Sequence, residues 1–121
     1  MDNRKLEIFR KAAVKIGMAL EPDVRPFFMA AIIPLSGHDR SLWREIADGL
    51  GVSTLTDLEL AAFSYIHACA NDDHDLIRSS RKVLGDAGVV DLVDQAIEAM
   101  NSLANHIKEV SADEARKATK H

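Results

Sequence analysis

Between Pro26 and Pro34 the chain reads Phe-Phe-Met-Ala-Ala-Ile-Ile, seven residues without one polar side chain. The run is far shorter than the roughly 20 residues that a membrane-crossing helix needs. A helix that is apolar on every side must instead be enclosed, either in the chain's own core or at a contact between subunits. Pro26 suits the first turn of such a helix, where no amide donor is required, and Pro34 ends it. Whatever else folds has to supply walls for this segment.

The walls read as helices. Leu6, Phe9, Ala13, Ile16 and Leu20 recur at alternating spacings of three and four, leaving Lys5, Arg10, Lys11 and Lys15 for the opposite face. Pro22 and Pro26 stop that first helix near Leu20. Asp39 or Ser41 can cap a third helix with Leu42, Ile46 and Leu50 on one stripe, closed by Gly49 and Gly51. Thr56 and Glu59 have capping-box spacing, with Leu55 and Leu60 as a hydrophobic staple, so a fourth helix begins at Thr56. Apolar residues wrap nearly all round it, which predicts a place at the centre of the bundle.

Asn71 to Asp75 forms an acidic corner that can end this helix and cap a fifth, which closes at Gly85 or Gly88. From Val89 through Val93, Ala96, Met100, Leu103 and Ile107 the three-four repeat marks the longest helix. No stretch alternates with period two. The expected fold class is therefore all-α, a compact bundle of five or six helices. Residues 1–110 form a single helical domain, and 111–121, where the apolar repeat is lost, are expected as a frayed or disordered tail.

With 121 residues, 47% hydrophobic and 28% charged, the chain lies outside the disordered and low-complexity classes. One cysteine excludes an internal disulfide, and no charged segment followed by an apolar one opens the chain, so a reducing cytoplasm is the expected compartment. The net charge of −4 is unevenly spread: residues 1–44 hold eight Lys or Arg against five Asp or Glu, and residues 45–98 hold three against eleven. The acidic middle repels phosphate backbones.

The run Glu45-Ile-Ala47-Asp-Gly-Leu-Gly51-Val52 resembles the helix-turn-helix family of DNA-binding proteins, through its small Ala, the Gly four residues on and the following Val. The helix that would read bases, however, begins Asp57-Leu-Glu59-Leu-Ala-Ala-Phe63 and offers no Arg, Lys, Asn or Gln to base edges. The motif reads as a corner where two helices pack, and neither nucleic acid nor membrane is an expected partner.

His67, Cys69, Asp72, Asp73 and His74 crowd imidazole, thiol and carboxylates around the acidic corner. His67 and Cys69 are two residues apart on a helix and point to different faces, so no metal site is expected. Helix capping by Asp72 or Asp73 accounts for the acids. No Gly-rich phosphate loop and no Gly-x-Ser-x-Gly is present, and no cofactor is expected.

From Glu45 to Ile107, a helix ending Gly-Leu-Gly-Val, the central Leu58-Glu-Leu-Ala-Ala-Phe63 helix, a polar corner, a helix closing on Asp86-Ala-Gly-Val89 and a long last helix follow in order. That order resembles the alkylhydroperoxidase-like and carboxymuconolactone decarboxylase superfamily. The resemblance implies an all-α subunit assembling as a trimer or hexamer. Its peroxidase members carry C-x-x-C-x-x-x-H at the polar corner; here Asp72 stands at the second cysteine position and Leu76 at the histidine position. No catalytic residue carries over, and thiol peroxidase chemistry through an internal disulfide is excluded. In a decarboxylase-like variant, His67 and His74, beside Glu59, are the candidates for acid-base work.

The leading expectation is a small non-enzymatic helical protein acting by self-association and by binding another protein. A domain of this size buries only about two-thirds of its chain surface by itself, while three segments here are apolar over wide faces. Phe27, Phe28 and Trp43 are the candidate interface residues, because aromatic side chains anchor interfaces more often than others.

Overall fold

The computed structural model describes residues 3–37 and 39–119, with the side chains of Asn3 and 114–119 outside that description. Six helices follow in order: α1 (Asn3–Met18), α2 (Arg25–Ala31), α3 (Arg40–Leu50), α4 (Asp57–Ala70), α5 (His74–Asp86) and α6 (Val90–Thr119). No strand forms among the described residues. No helix among them is long and apolar enough to cross a membrane.

The short apolar helix takes the centre. α2 packs against α1, α3, α4 and α6. Val24, Phe28, Met29, Ala30, Ala31 and Ile32 are all 0% exposed. This corrects the expectation that α4 is central: α4 fully buries only Glu59, Ala62 and Ala68. Beyond Arg25 and Pro26 at its start, α2 has no polar side to show water and a larger demand for walls than a longer helix carrying Asp57, Ser64 and His67.

α1 and α3 run side by side in parallel. Arg10 lies 3.8 Å from Glu45. Further along, Val14 meets Gly49 and Gly17 meets Leu50, so the numbering rises together on both helices. The end of α1 is closed from outside, since Arg25 donates from Nε to Gly17 O at 3.2 Å and from Nη2 to Met18 O at 3.3 Å. Gly17 O also accepts Leu20 N–H at 3.1 Å, so the guanidinium adds donors to the last carbonyls of α1 and sets a positive charge at the negative end of the helix dipole.

Helices α3, α4 and α5 end in the same six-residue turn. Val52 N–H donates to Ala47 O at 2.9 Å and Gly51 N–H to Asp48 O at 3.3 Å. Val89 and Gly88 repeat this on Leu84 and Gly85, both at 3.1 Å, and Asp73 and Asp72 repeat it on Ala68 and Cys69 at 3.0 and 3.5 Å. The pattern requires a left-handed residue at the turn. Gly51 (φ 75°) and Gly88 (φ 72°) supply it freely, whereas at α4 it falls on Asp72 (φ 54°).

The starts differ in detail. Asp39 accepts Leu42 N–H at 3.1 Å and caps α3. Thr56 is the N-cap of α4, but its hydroxyl donates to Glu59 Oε2 and not to a carbonyl, and no backbone amide is capped by its side chain. Leu60, the expected staple, is 47% exposed. Six residues, 51–56, separate α3 from α4. α3 packs chiefly on α1, so the expected α3–α4 packing corner is not the contact that seats α3.

α6 continues as helix to Thr119, past residue 110 where the helical domain was expected to end. Ala112, Glu114, Ala115, Arg116, Lys117 and Ala118 are strong helix formers, so helical backbone outlasts the apolar repeat. Residues 120 and 121 of the expected tail lie outside the described residues.

Candidate functional site

Sequence directs attention first to the α4–α5 corner. His67 sits in the last turn of α4, its ring stacked on Phe63 with centroids 6.1 Å apart and planes 20° from parallel. Asn71 Nδ2 donates to His67 O at 2.8 Å and lies 3.4 Å from His67 Nε2, folding the helix end back on itself. His74 is the exposed first residue of α5, and Cys69 is an exposed free thiol. Asp73 is engaged as a cap, accepting Leu76 N–H at 3.2 Å. Glu59 is buried two turns earlier, bonded to Thr56.

Among the described residues no hydrogen bond, ion pair or ring contact joins Glu59, His67, Cys69 and His74. None of their His, Cys, Asp and Glu side chains form a group of three that could hold a metal ion. Helical geometry explains the separation: Glu59 points inward and His67 outward on the same helix, while His74 belongs to the next one.

The interface candidates divide. Phe27 (5% exposed) and Phe28 (0%) are enclosed by this chain's own helices and offer nothing to a partner, which corrects their assignment. The aromatic pair is what α2 needs to fill the middle of so small a bundle. Trp43 is half-buried, and its Nε1 donates to Met29 O at 2.9 Å.

Apolar surface is left over elsewhere. Arg81 Nη1 donates to Tyr65 OH at 2.9 Å, and the guanidinium lies 5.9 Å from the Tyr65 ring centroid, tying α5 to α4 along one side of an antiparallel hairpin. On α4, Leu60, Phe63, Ser64 and His67 follow the i, i+3, i+4, i+7 spacing of one stripe, facing away from buried Ala62. On α5, Leu76 and Val83 are seven residues apart and share one face of that helix. Leu60 is 47% and Val83 50% exposed; the third large exposed hydrophobic residue among the described ones, Met18, belongs to the end of α1.

A cavity of about 680 Å³ opens between the turn after α2, the first half of α3 and the strap before α4. Ile33, Trp43 and Leu55 give it apolar walls, and Ser36, Arg40 and Arg44 give it polar ones. Arg44 lies over the Trp43 ring at 5.7 Å from its centroid and donates from Nη1 to Ser53 O at 2.8 Å. Arg40, one helical turn before it, makes no ion pair or hydrogen bond through its side chain among the described residues. Asp39 also borders the cavity, with its carboxylate engaged in capping α3.

Sequence reading found Trp43 but passed over Arg40 and Arg44. The signal available was their i, i+4 spacing around a lone tryptophan, inside the basic part of an acidic chain. Leu60 was placed in a staple and Val83 in a helix face, and only the packing of α5 on α4 leaves both in solvent. No protein-family model, no curated protein and no solved structure matches this chain.

Proposed function

We propose that this protein is a non-enzymatic binding module that self-associates through the outer flank of the α4–α5 hairpin. The single observation that carries the reading is the exposure of Leu60 on α4 and Val83 on α5, two large apolar side chains left in solvent by helices that pack on each other. Covering them removes apolar area from water at about 25 cal/mol per Å². A second copy brings the same side chains, and a two-fold contact sets like surface on like surface. The scattered histidines support this reading over acid-base catalysis, since no contact converges them on a reacting atom.

The test is solution mass by light scattering over a concentration series. The expected result is a mass above the 13.3 kDa of one chain that falls to one chain when Leu60→Glu and Val83→Glu are introduced. A single-chain mass at every concentration sinks the reading, as does an assembly that both substitutions leave intact.

A further inference from the structure

We propose that the cavity beside Trp43 binds an amphipathic monocarboxylate, its carboxylate held between Arg40 and Arg44 and its apolar body against Trp43, Ile33 and Leu55. Size is the first support. At about 680 Å³ the space falls within the range of roughly 300–1,000 Å³ typical of small-molecule sites.

Charge is the second. The chain as a whole carries −4, yet this cavity presents two guanidiniums against one carboxylate. That carboxylate, on Asp39, already accepts Leu42 N–H at the start of α3. It also occupies the helix N-terminus, so the anion site rests on the two arginines and not on helix amides.

The arginines are differently prepared. Arg44 is pinned by Ser53 O and by the Trp43 ring, which fixes the plane of its fork and leaves its other N–H donors unassigned. Arg40 lies one turn earlier on the same helix, where i, i+4 spacing brings two side chains onto one face. A carboxylate between them can therefore accept from both guanidiniums. Charge-assisted bonds of this kind are among the stronger polar contacts.

The walls select against a bare anion. Ser36 is buried and its hydroxyl donates to Ile33 O at 2.7 Å, so it adds no donor for a ligand. Trp43 uses its only donor on Met29 O. What remains to a ligand beyond the arginines is aromatic face and aliphatic side chain, which a phosphate or sulfate does not use.

The test uses the chain's one tryptophan, which lines the cavity, as its own reporter. Trp43 emission is titrated with octanoate, with 1-octanol as the uncharged counterpart and with inorganic phosphate. Saturable change with octanoate is expected, with 1-octanol weaker by about tenfold and phosphate weaker still. Arg40→Ala, which removes no side-chain hydrogen bond or ion pair among the described residues, is expected to weaken octanoate about tenfold, as is Arg44→Gln. The proposal is overturned if octanoate gives no saturable change, if 1-octanol or phosphate binds as tightly, or if Arg40→Ala binds as tightly as the unchanged chain. Since neither Leu60 nor Val83 lines the cavity, the outcome is independent of whether the chain self-associates.

Discussion

A methyl group on Gly17 would stand 2.5 Å from Cδ1 and 3.2 Å from Cγ of Leu50, so α1 and α3 touch where only hydrogen fits. Leu50 is 4% exposed and has little room to turn aside. Gly17→Ala gains up to about 1 kcal/mol of helix propensity but overpacks a closed contact, which costs about 1–3 kcal/mol. The expected net is a loss of about 1 kcal/mol in urea unfolding. Gly85, with nothing within 4 Å of its added Cβ, is the contrasting site. Gly85→Ala is expected to stabilise by about 0.5 kcal/mol; stabilisation by both variants would show that the helices are not in close contact at Gly17.

The left-handed residue that ends α4 is Asp72, at φ 54°. Glycine adopts that conformation without a Cβ clash. Asp72→Gly is expected to raise stability by about 0.5–1 kcal/mol, whereas Asp73→Ala, which removes the cap on Leu76 N–H, lowers it by about 1 kcal/mol. Thermal unfolding of the two variants beside the parent chain decides the pair.

Trp43 holds α3 to the carbonyl of Met29 in α2. Trp43→Phe keeps a ring in place but leaves that carbonyl without its indole partner, and is expected to cost about 1–2 kcal/mol in chemical denaturation. A loss no greater than that of a surface substitution would mean that the hydrogen bond contributes nothing to holding the two helices.

Phe28 is wholly enclosed by its own chain. Phe28→Ala is expected to cost about 3–5 kcal/mol and to leave much of the population unfolded by circular dichroism. Leu60→Glu, out on the hairpin flank, is expected to stay folded while losing self-association. If the phenotypes were exchanged, with Phe28→Ala folded and merely dissociated, α2 would be an interface element after all.

Replacing both His67 and His74 with alanine is expected to shift stability by less than about 1 kcal/mol. Both are exposed surface residues, and His67 contributes only its stack on Phe63 and a contact with Asn71. A large loss would reveal a structural role that their exposure does not suggest.

Much of the fold was legible because helix signals are local. The three-four repeat of α1, Asp39 as the cap of α3, Thr56 at the start of α4, and Gly51 and Gly88 at helix ends each act within one or two turns of their own position. Capping chemistry was legible only in part. Spacing brings Thr56 and Glu59 together, but whether the hydroxyl meets a carboxylate or an amide depends on burial of Glu59, which the neighbouring helices impose.

By itself, then, the sequence determined an all-α chain, the number of its helices to within one, most of their ends, and the necessity of enclosing the segment after Pro26. It left two ways to enclose that segment, because periodicity records which residues avoid water and not which surfaces cover them. Tertiary structure chose the chain's own core, and Phe27 and Phe28 ceased to be surface residues. The same choice placed α4 outside the centre, left Leu60 and Val83 in solvent, and brought Ile33 and Leu55 to either side of the Arg40–Trp43–Arg44 face. Those are contacts between residues far apart along the chain, set by how six helices share one limited volume, and no local pattern encodes them.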